Sequence, residues 1–287
     1  MKKFKIRSYC KINLFLRVIK KLKNGYHEII SLITFCDLHD VISISEINNL
    51  SDKITFSGDF KSGINQKSNT ITQTLSLLRK NKLLTKNFFK INIQKNIPQG
   101  SGLGGGSSNA ANLLNHFNNQ MKLKLNKNKL IFLANKVGSD APLSLEKKNT
   151  FLVGKKNKFI RLNKKLSLNL LIVYPNLLCS TKKIYEKNRR FSAFKSDYLF
   201  YSKNRKRLIN LLKNQNNDLE EIVVKIYPKV EKIINLIKAQ KGCYFSRISG
   251  SGSACIGVFA NKKNAIYAKK MINFKYPKYW CVVSKTI

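Results

Sequence analysis

The stretch that decides the fold is Lys95-Asn-Ile-Pro-Gln-Gly-Ser-Gly-Leu-Gly-Gly-Gly-Ser-Ser-Asn-Ala-Ala111. Between Gly100 and Ser108 it holds five glycines and three serines, and an Ala/Leu-rich segment with helical spacing follows. Glycine permits a positive φ and has no Cβ to keep a bulky anion away from the backbone. A helix start adds unpaired N–H groups and the positive end of the helix dipole. Together these features predict a phosphate-binding loop.

The spacing of the glycines excludes two common phosphate loops. A Walker A loop ends in Gly-Lys-Ser/Thr, but here Gly106 is followed by Ser107. Gly100-x-Gly102-x-x-Gly105 fits the dinucleotide fingerprint, yet that motif needs an acidic residue about 20 positions further on. Residues 60–139 contain no Asp or Glu. A flexible Gly/Ser linker is the remaining alternative, and such a linker does not normally lead into an apolar helix.

Composition and charge bound the class of protein. With 287 residues, 43% of them hydrophobic, the chain is long and apolar enough for a globular protein, which we expect to form two lobes. Its net charge of +41 has two interpretations. One is nucleic-acid binding; the other is the bias toward Lys, Asn and Ile that AT-rich coding sequence produces. The lysines are scattered along the whole chain, which favours the second, so we expect no specific nucleic-acid partner.

Cysteine usage and the lack of long apolar segments bear on location. The six cysteines form no C-x-x-C pair, and neither they nor the three histidines have the spacing of a metal site. We therefore predict no zinc site or other metal site built from Cys and His, and a reducing compartment. Lys11 and Arg17 interrupt the N-terminal apolar run, and the uncharged stretch 166–181 is too short and polar to span a membrane. A cytoplasmic protein without membrane contact is expected, as a monomer or a homodimer.

Hydrophobic periodicity predicts strands and helices without strict alternation, which is typical of the α+β class. A strand pair is expected over Ile29–Ile47, with its turn near Asp37–Asp40, and a single strand over Phe151–Ile160. We predict two lobes, one over residues 1–155 and one over residues 156–287.

Asp140 and Lys11 are candidate catalytic residues, each with a structural alternative. Asp140 directly precedes Ala141-Pro142, so it is either an ordinary N-cap or a general base that the helix dipole keeps ionised. Lys11 lies within an apolar alternation. It is either a solvated residue on an edge strand or a cation that pairs with a carboxylate and screens charge on an attacking oxygen.

The segment Gly25-Tyr26-His27 follows a turn signal. It is either a surface turn with a core tyrosine or an aromatic platform on which a nucleobase stacks.

Taken in order, three segments resemble the motifs of the GHMP kinase superfamily. They are the lysine-bearing N-terminal strand, the glycine-rich loop beginning at Pro98, and the C-terminal turn Gly250-Ser-Gly-Ser253. The runs Lys11–Leu16, Gly25–His27 and Gly138–Pro142 are similar to the branch that acts on a cytidine diphosphate-linked methylerythritol. The resemblance implies that residues 1–155 form an ATP-binding lobe like the second domain of a ribosomal S5 protein. It implies that residues 156–287 form a ferredoxin-like, substrate-binding lobe. It also implies ATP-dependent phosphorylation of a polyol hydroxyl.

The resemblance implies a role for each candidate residue. Asp140 takes the hydroxyl proton, while Lys11 orients Asp140 and stabilises the developing alkoxide. The triphosphate of ATP is wrapped by the loop, with Mg²⁺ held by the phosphates and by Ser107 or Ser108. The implied ATP-binding residues are Asn69, Lys95, Pro98, Gln99, Gly100, Ser101, Gly102, Leu103, Gly104, Gly105, Gly106, Ser107 and Ser108.

The implied acceptor site recognises a cytidine diphosphate-linked polyol. Tyr26 and Tyr185 stack on the cytosine, and His27 reads its edge. The remaining implied contacts are Asn13, Thr181, Gly250 and Ser251. Two rival functions stay open: a homoserine- or mevalonate-type GHMP kinase, whose acceptor has no base to stack, and a basic nucleic-acid-binding protein, which leaves the glycine loop unexplained.

Overall fold

The computed structural model describes residues 3–154, 158–163, 165–193 and 204–287. The chain divides into two compact units, each discontinuous in sequence. The first unit comprises Met1–Lys11, Leu38–Gln99 and Gly104–Lys147, and the second comprises Ile12–Asp37, Gly100–Leu103 and Lys148–Ile287. The predicted lobe boundary at residue 155 lies outside the described residues and stays a prediction.

Strands and helices are mixed along the chain, as expected for the α+β class. The strands are β1 (Lys3–Lys21), β2 (His27–Ile47), β3 (Lys53–Ser57), β4 (Phe88–Gln94), β5 (Asn149–Val153), β6 (Phe159–Leu162), β7 (Asn169–Tyr174), β8 (Cys243–Ile248), β9 (Cys255–Phe259) and β10 (Trp280–Lys285). The helices are α1 (Thr70–Lys80), α2 (Gly105–Gln120), α3 (Lys127–Val137), α4 (Ala141–Ser144), α5 (Thr181–Glu186), α6 (Arg205–Lys213), α7 (Glu220–Ile226), α8 (Pro228–Lys238) and α9 (Lys262–Lys275).

In the first unit, helices pack on a sheet whose strand β4 is followed directly by the segment leading to the glycine loop. Strand β3 pairs in parallel with β4, and β4 pairs antiparallel with the second half of β2. The apolar face of α2 is buried here because its Leu113, Leu114 and Phe117 recur at helical spacing. The rings of Phe117 and Phe89 lie 4.7 Å apart, which fixes α2 against β4.

In the second unit, β7 to β10 form an antiparallel sheet in the order β10-β7-β9-β8. Helices α8 and α9 bury Val230, Ile233 and Ile272 in the core of this unit. The strand order and the β–α–β–β–α–β sequence are those of a ferredoxin-like domain, so that expectation is confirmed. The unit also contains the first half of β2, which pairs with β5, and β5 pairs with β6.

Two strand predictions are wrong. Residues Ile29–Ile47 belong to one continuous strand rather than a pair, because the polar residues that suggested a turn find tertiary partners. Asp37 accepts a hydrogen bond from the Ser284 hydroxyl, and Asp40 accepts one from the Lys95 ammonium. The predicted strand Phe151–Ile160 is two strands, β5 and β6, with Gly154 at a φ of 52° after the first.

Within the described ranges, none of the helices combines the length and the hydrophobicity that a bilayer crossing requires.

Candidate active site

Lys11 and Asp140 form an ion pair in the first unit, with Nζ 3.2 Å from Oδ2. Lys11 projects from β1, and Asp140 stands at the start of α4. The Lys11 side chain is only 5% exposed, whereas that of Asp140 is 38% exposed. Although Asp140 occupies the N-cap position, its side chain accepts no capping hydrogen bond from α4, all of whose residues are described. This geometry favours the catalytic alternative for both residues, since the carboxylate faces Lys11 and stays accessible to a hydroxyl group.

The start of α2 packs closely against the Lys11 side chain. Gly104 is the N-cap, with a φ of 67°, and a Cβ there would lie 2.7 Å from Cγ of Lys11. Glycine is therefore required for two reasons, its backbone conformation and the packing of Lys11. The first turn carries no acidic residue, and no side chain in the described structure caps it. The Ser108 hydroxyl donates to the Tyr9 carbonyl at 2.7 Å, which fixes this turn on β1.

The first half of the glycine loop, Gly100–Leu103, belongs to the second unit and packs against the Gly250 turn. The Ala254 N–H donates to the Ser101 carbonyl at 3.0 Å, and the Ser249 hydroxyl donates to the Gly102 carbonyl at 3.3 Å. A Cβ on Gly102 would lie only 2.0 Å from the Ser249 carbonyl oxygen. The two glycine-rich segments predicted to bind phosphate groups are thus in direct contact.

Four of the residues predicted to bind ATP make structural contacts that the sequence did not reveal. Pro98 is buried, and the Gln99 amide donates to the carbonyls of Phe60 and Ser62 at 3.2 and 2.9 Å. The Asn69 side chain caps α1, where its Oδ1 accepts from the N–H groups of residues 71 and 72. Lys95 is 4% exposed and pairs with Asp40. Contacts of Asn69 and Lys95 with an adenosine stay a prediction.

Asp40 is the principal residue of this region that sequence reasoning missed. It is fully buried and holds Lys95. Its partners lie 55 to 69 positions away along the chain. Its only local signal was a polar residue between apolar ones, which predicted a turn instead.

Three of the predicted acceptor residues are brought together in the second unit. The hydroxyls of Thr181 and Ser251 are hydrogen-bonded at 2.8 Å. The Asn13 N–H donates to the Ser249 hydroxyl at 3.2 Å, and its side-chain amide donates to Ser31 at 2.8 Å. Asn13 and Thr181 are therefore both tied to the turn that contains Gly250.

The aromatic residues predicted to hold the cytosine are also in the second unit. The rings of His27 and Tyr185 lie 5.1 Å apart, whereas Tyr26 is 65% exposed. Burial lowers the pKa of His27, and the charge of Lys21 lowers it further. A neutral imidazole offers one donor and one acceptor, which is the pattern needed to read the edge of a base.

Among the described residues, no group of three or more His, Cys, Asp or Glu side chains is placed to hold a metal ion.

Comparison with known proteins assigns the fold. Residues 69–147 match the family model of the GHMP kinases N terminal domain, and residues 198–278 match that of the GHMP kinases C terminal. A crystal structure of 4-(cytidine 5'-diphospho)-2C-methyl-D-erythritol kinase aligns with a TM-score of 0.79 and 23% identity, covering 98% of this chain and 99% of its own. The two-lobed GHMP kinase fold is confirmed, and the two family models identify the class of protein as a small-molecule kinase.

A relative that matches over its full length identifies the family within the GHMP kinases. The 4-diphosphocytidyl-2-C-methyl-D-erythritol kinase of Pelagibacter ubique (strain HTCC1062) is 40% identical over 293 residues, covering 100% of both chains. The present chain belongs to the 4-diphosphocytidyl-2-C-methyl-D-erythritol kinase family. Fold alone does not select the acceptor, because a homoserine kinase from Cytophaga hutchinsonii aligns with a TM-score of 0.75 at 15% identity, covering 100% of this chain and 95% of its own.

The requirement for glycine at the α2 start can be tested by stability. Gly104→Ala should lower the free energy of unfolding by about 2 kcal/mol or more, because it combines left-handed strain with a displacement of Lys11. Gly106→Ala is the matched control, since its Cβ would meet the Thr70 side chain at an ordinary 3.5 Å. It should change stability by less than about 1 kcal/mol. Urea unfolding measures both, and an equal effect of the two substitutions would contradict the packing described.

Proposed function

We propose that this chain transfers the terminal phosphoryl group of ATP to the 2-hydroxyl of 4-diphosphocytidyl-2-C-methyl-D-erythritol, a step of non-mevalonate isoprenoid precursor biosynthesis. The Lys11–Asp140 pair is the observation that carries the reaction type, because a half-exposed carboxylate beside a buried ammonium is suited to activating an alcohol. The choice of acceptor is supported by the full-length relative of that name.

In the proposed mechanism Asp140 receives the proton of the acceptor hydroxyl. A carboxylate is a weak base toward an alcohol, but phosphoryl transfer through a loose transition state releases that proton late. The Lys11 ammonium, 3.2 Å from Asp140, keeps the carboxylate oriented and stabilises negative charge on the attacking oxygen. Lys11 is held in place by burial, so little reorganisation accompanies the reaction.

The triphosphate of ATP is assigned to the loop from Pro98 to Ser108. Backbone N–H groups at the start of α2 donate to phosphate oxygens, and the helix dipole adds to the attraction. Support comes from the first turn of α2, which contains no acidic residue and receives no hydrogen bond from a capping side chain among the described residues.

Mg²⁺ is assigned to the phosphates of the nucleotide, with the hydroxyl of Ser107 or Ser108 as the protein ligand. This fits the preference of Mg²⁺ for phosphate oxygens and water over an all-protein cage. When bound, the ion would neutralise phosphate charge.

Cytoplasmic location of the protein stays a prediction.

The acceptor's cytosine is assigned to Tyr26, Tyr185 and His27, and its diphosphate and polyol to Asn13, Thr181 and the Gly250–Ser251 turn. The contact between His27 and Tyr185 and the exposure of the neighbouring Tyr26 support a place for a planar base. The Thr181–Ser251 hydrogen bond presents two hydroxyls together, which is a suitable arrangement for phosphate oxygens.

The acceptor is tested by ADP release with three candidate substrates. The diphosphocytidyl acceptor should be turned over with a kcat/KM at least about 100-fold above those of homoserine and mevalonate, because a site built to stack and hydrogen-bond a base rejects acceptors without one. Comparable turnover of homoserine or mevalonate would assign the chain to another GHMP kinase activity.

Asp140→Asn tests the general base. This variant should lower kcat by about 10²- to 10⁴-fold, the usual loss on removing a general base. ATP binding, followed by the nucleotide-induced shift in Tm, should be nearly unchanged. Glu46→Gln removes an exposed carboxylate of the same unit and serves as the control with wild-type turnover. Near-normal turnover of Asp140→Asn would remove Asp140 from the mechanism.

Tyr26→Ala tests the stacking assignment. Loss of one base–aromatic contact should raise the KM for the cytidine acceptor by about 5- to 100-fold and leave the KM for ATP unchanged. Tyr267→Ala is the matched control, because Tyr267 is also a highly exposed tyrosine, at 57%, but lies on α9. An equal rise in both KM values for Tyr26→Ala would count against stacking at this residue.

A further inference from the structure

Asp40 is a fully buried carboxylate in β2 that accepts hydrogen bonds from four donors. Its Oδ1 accepts from the N–H groups of Asn96 and Ile97 at 2.7 and 2.9 Å. Its Oδ2 accepts from the Lys95 ammonium and, at 2.8 Å, from the side-chain amide of Asn109. All five residues belong to the first unit.

These donors flank the glycine loop on both sides. Lys95, Asn96 and Ile97 form the segment that follows β4 and leads into Pro98. Asn109 lies on α2, one turn after its first residue, Gly105. A single carboxylate therefore joins the backbone before the loop to the helix after it.

The same carboxylate neutralises a cation at the start of α2. A Cβ on Gly105 would lie 2.9 Å from Cγ2 of Ile97 and 3.4 Å from Nζ of Lys95, so the Lys95 ammonium lies beside the first residue of the helix. The helix dipole disfavours a positive charge at this end. Burial adds a desolvation cost that only a well-bonded counter-charge offsets. Asp40 therefore makes this arrangement possible.

We propose that Asp40 is the positioning residue of the ATP-binding loop. It holds the segment Lys95–Ile97 and helix α2 in fixed register, so that the N–H groups at the start of α2 are oriented before the nucleotide arrives. Asp40 acts through these groups and does not itself touch the nucleotide. The inference rests on the proposed function, since it assumes that the loop binds ATP.

Asp40→Asn is the direct test. The variant should raise the KM for ATP at least about tenfold, because binding must then order the loop, and it should lose most of the ATP-induced rise in Tm. The KM for the acceptor should stay within about twofold of wild type. A purely structural role would instead affect both substrates together, or neither.

Asp52→Asn is the matched control. Asp52 also joins a helix to β4, accepting from Arg79 of α1 and from the Phe89 N–H, each at 2.9 Å. It does so near the first residue of β4, away from the loop. This variant should lower Tm while leaving the KM for ATP within about twofold of wild type.

Asn109→Leu keeps the inference testable if Asp40→Asn does not fold. This substitution removes the tether to α2 and leaves the Lys95–Asp40 pair intact. It should be tolerated, because Oδ1 of Asn109 is buried without a hydrogen-bond partner in the described structure. A rise of about 3- to 10-fold in the KM for ATP alone is expected from the partial loss of preorganisation.

The outcomes separate this inference from the proposed function. Wild-type ATP responses in both Asp40→Asn and Asn109→Leu would overturn the positioning role alone, as would a rise in the KM for ATP of Asp52→Asn as large as that of Asp40→Asn. Binding of ATP without turnover of the diphosphocytidyl acceptor would overturn the proposed acceptor and leave the role of Asp40 decided by the Tm shifts. A wild-type protein with no ATP-induced shift would overturn both.

Discussion

The glycine loop can adopt its conformation only because Gly102 and Gly104 have no Cβ. The rest of the site depends on this steric constraint. Gly102 packs on the Ser249 carbonyl within the second unit, and Gly104 packs on the Lys11 side chain within the first. Two neighbouring glycines are thus imposed by different surroundings. Because Lys11 is also the partner of Asp140, the packing that requires a glycine at 104 also helps to hold this ion pair.

Two aspartates of this acid-poor chain each pair with a buried lysine but differ in the exposure of their carboxylates. Asp140 is half exposed and pairs with a buried lysine, whereas Asp40 is fully buried and pairs with another buried lysine. The first arrangement leaves a carboxylate that a substrate hydroxyl can reach. The second commits its carboxylate to four protein donors, so it can act only through the residues it holds. The same pair of residue types therefore forms an accessible ion pair in one place and a closed one in another because burial differs.

Local sequence patterns predicted several elements of this structure, but they did not reveal contacts between residues that are far apart in the sequence. The glycine run and the helix that follows it could be predicted because their signals lie within a few residues of one another. Lys11 and Asp140 could be singled out by type and setting, but only the structure brings them together across 129 positions of sequence. Asp40 was missed because polar residues within an apolar run also predict a turn. Its partners, among them Lys95 after β4 and Asn109 on α2, lie far from it in the sequence, so hydrophobic periodicity could not reveal them.

The net charge of +41 constrains how ATP specificity can arise. Lysines distributed over the whole chain attract every anion, so long-range charge speeds encounter with a nucleotide but does not select it. That attraction is also weakened by salt. Selection must come from donors at fixed short range, such as the N–H groups at the start of α2. In the positioning role proposed for Asp40, the buried contacts around Gly104 and Asp40 supply that fixed geometry.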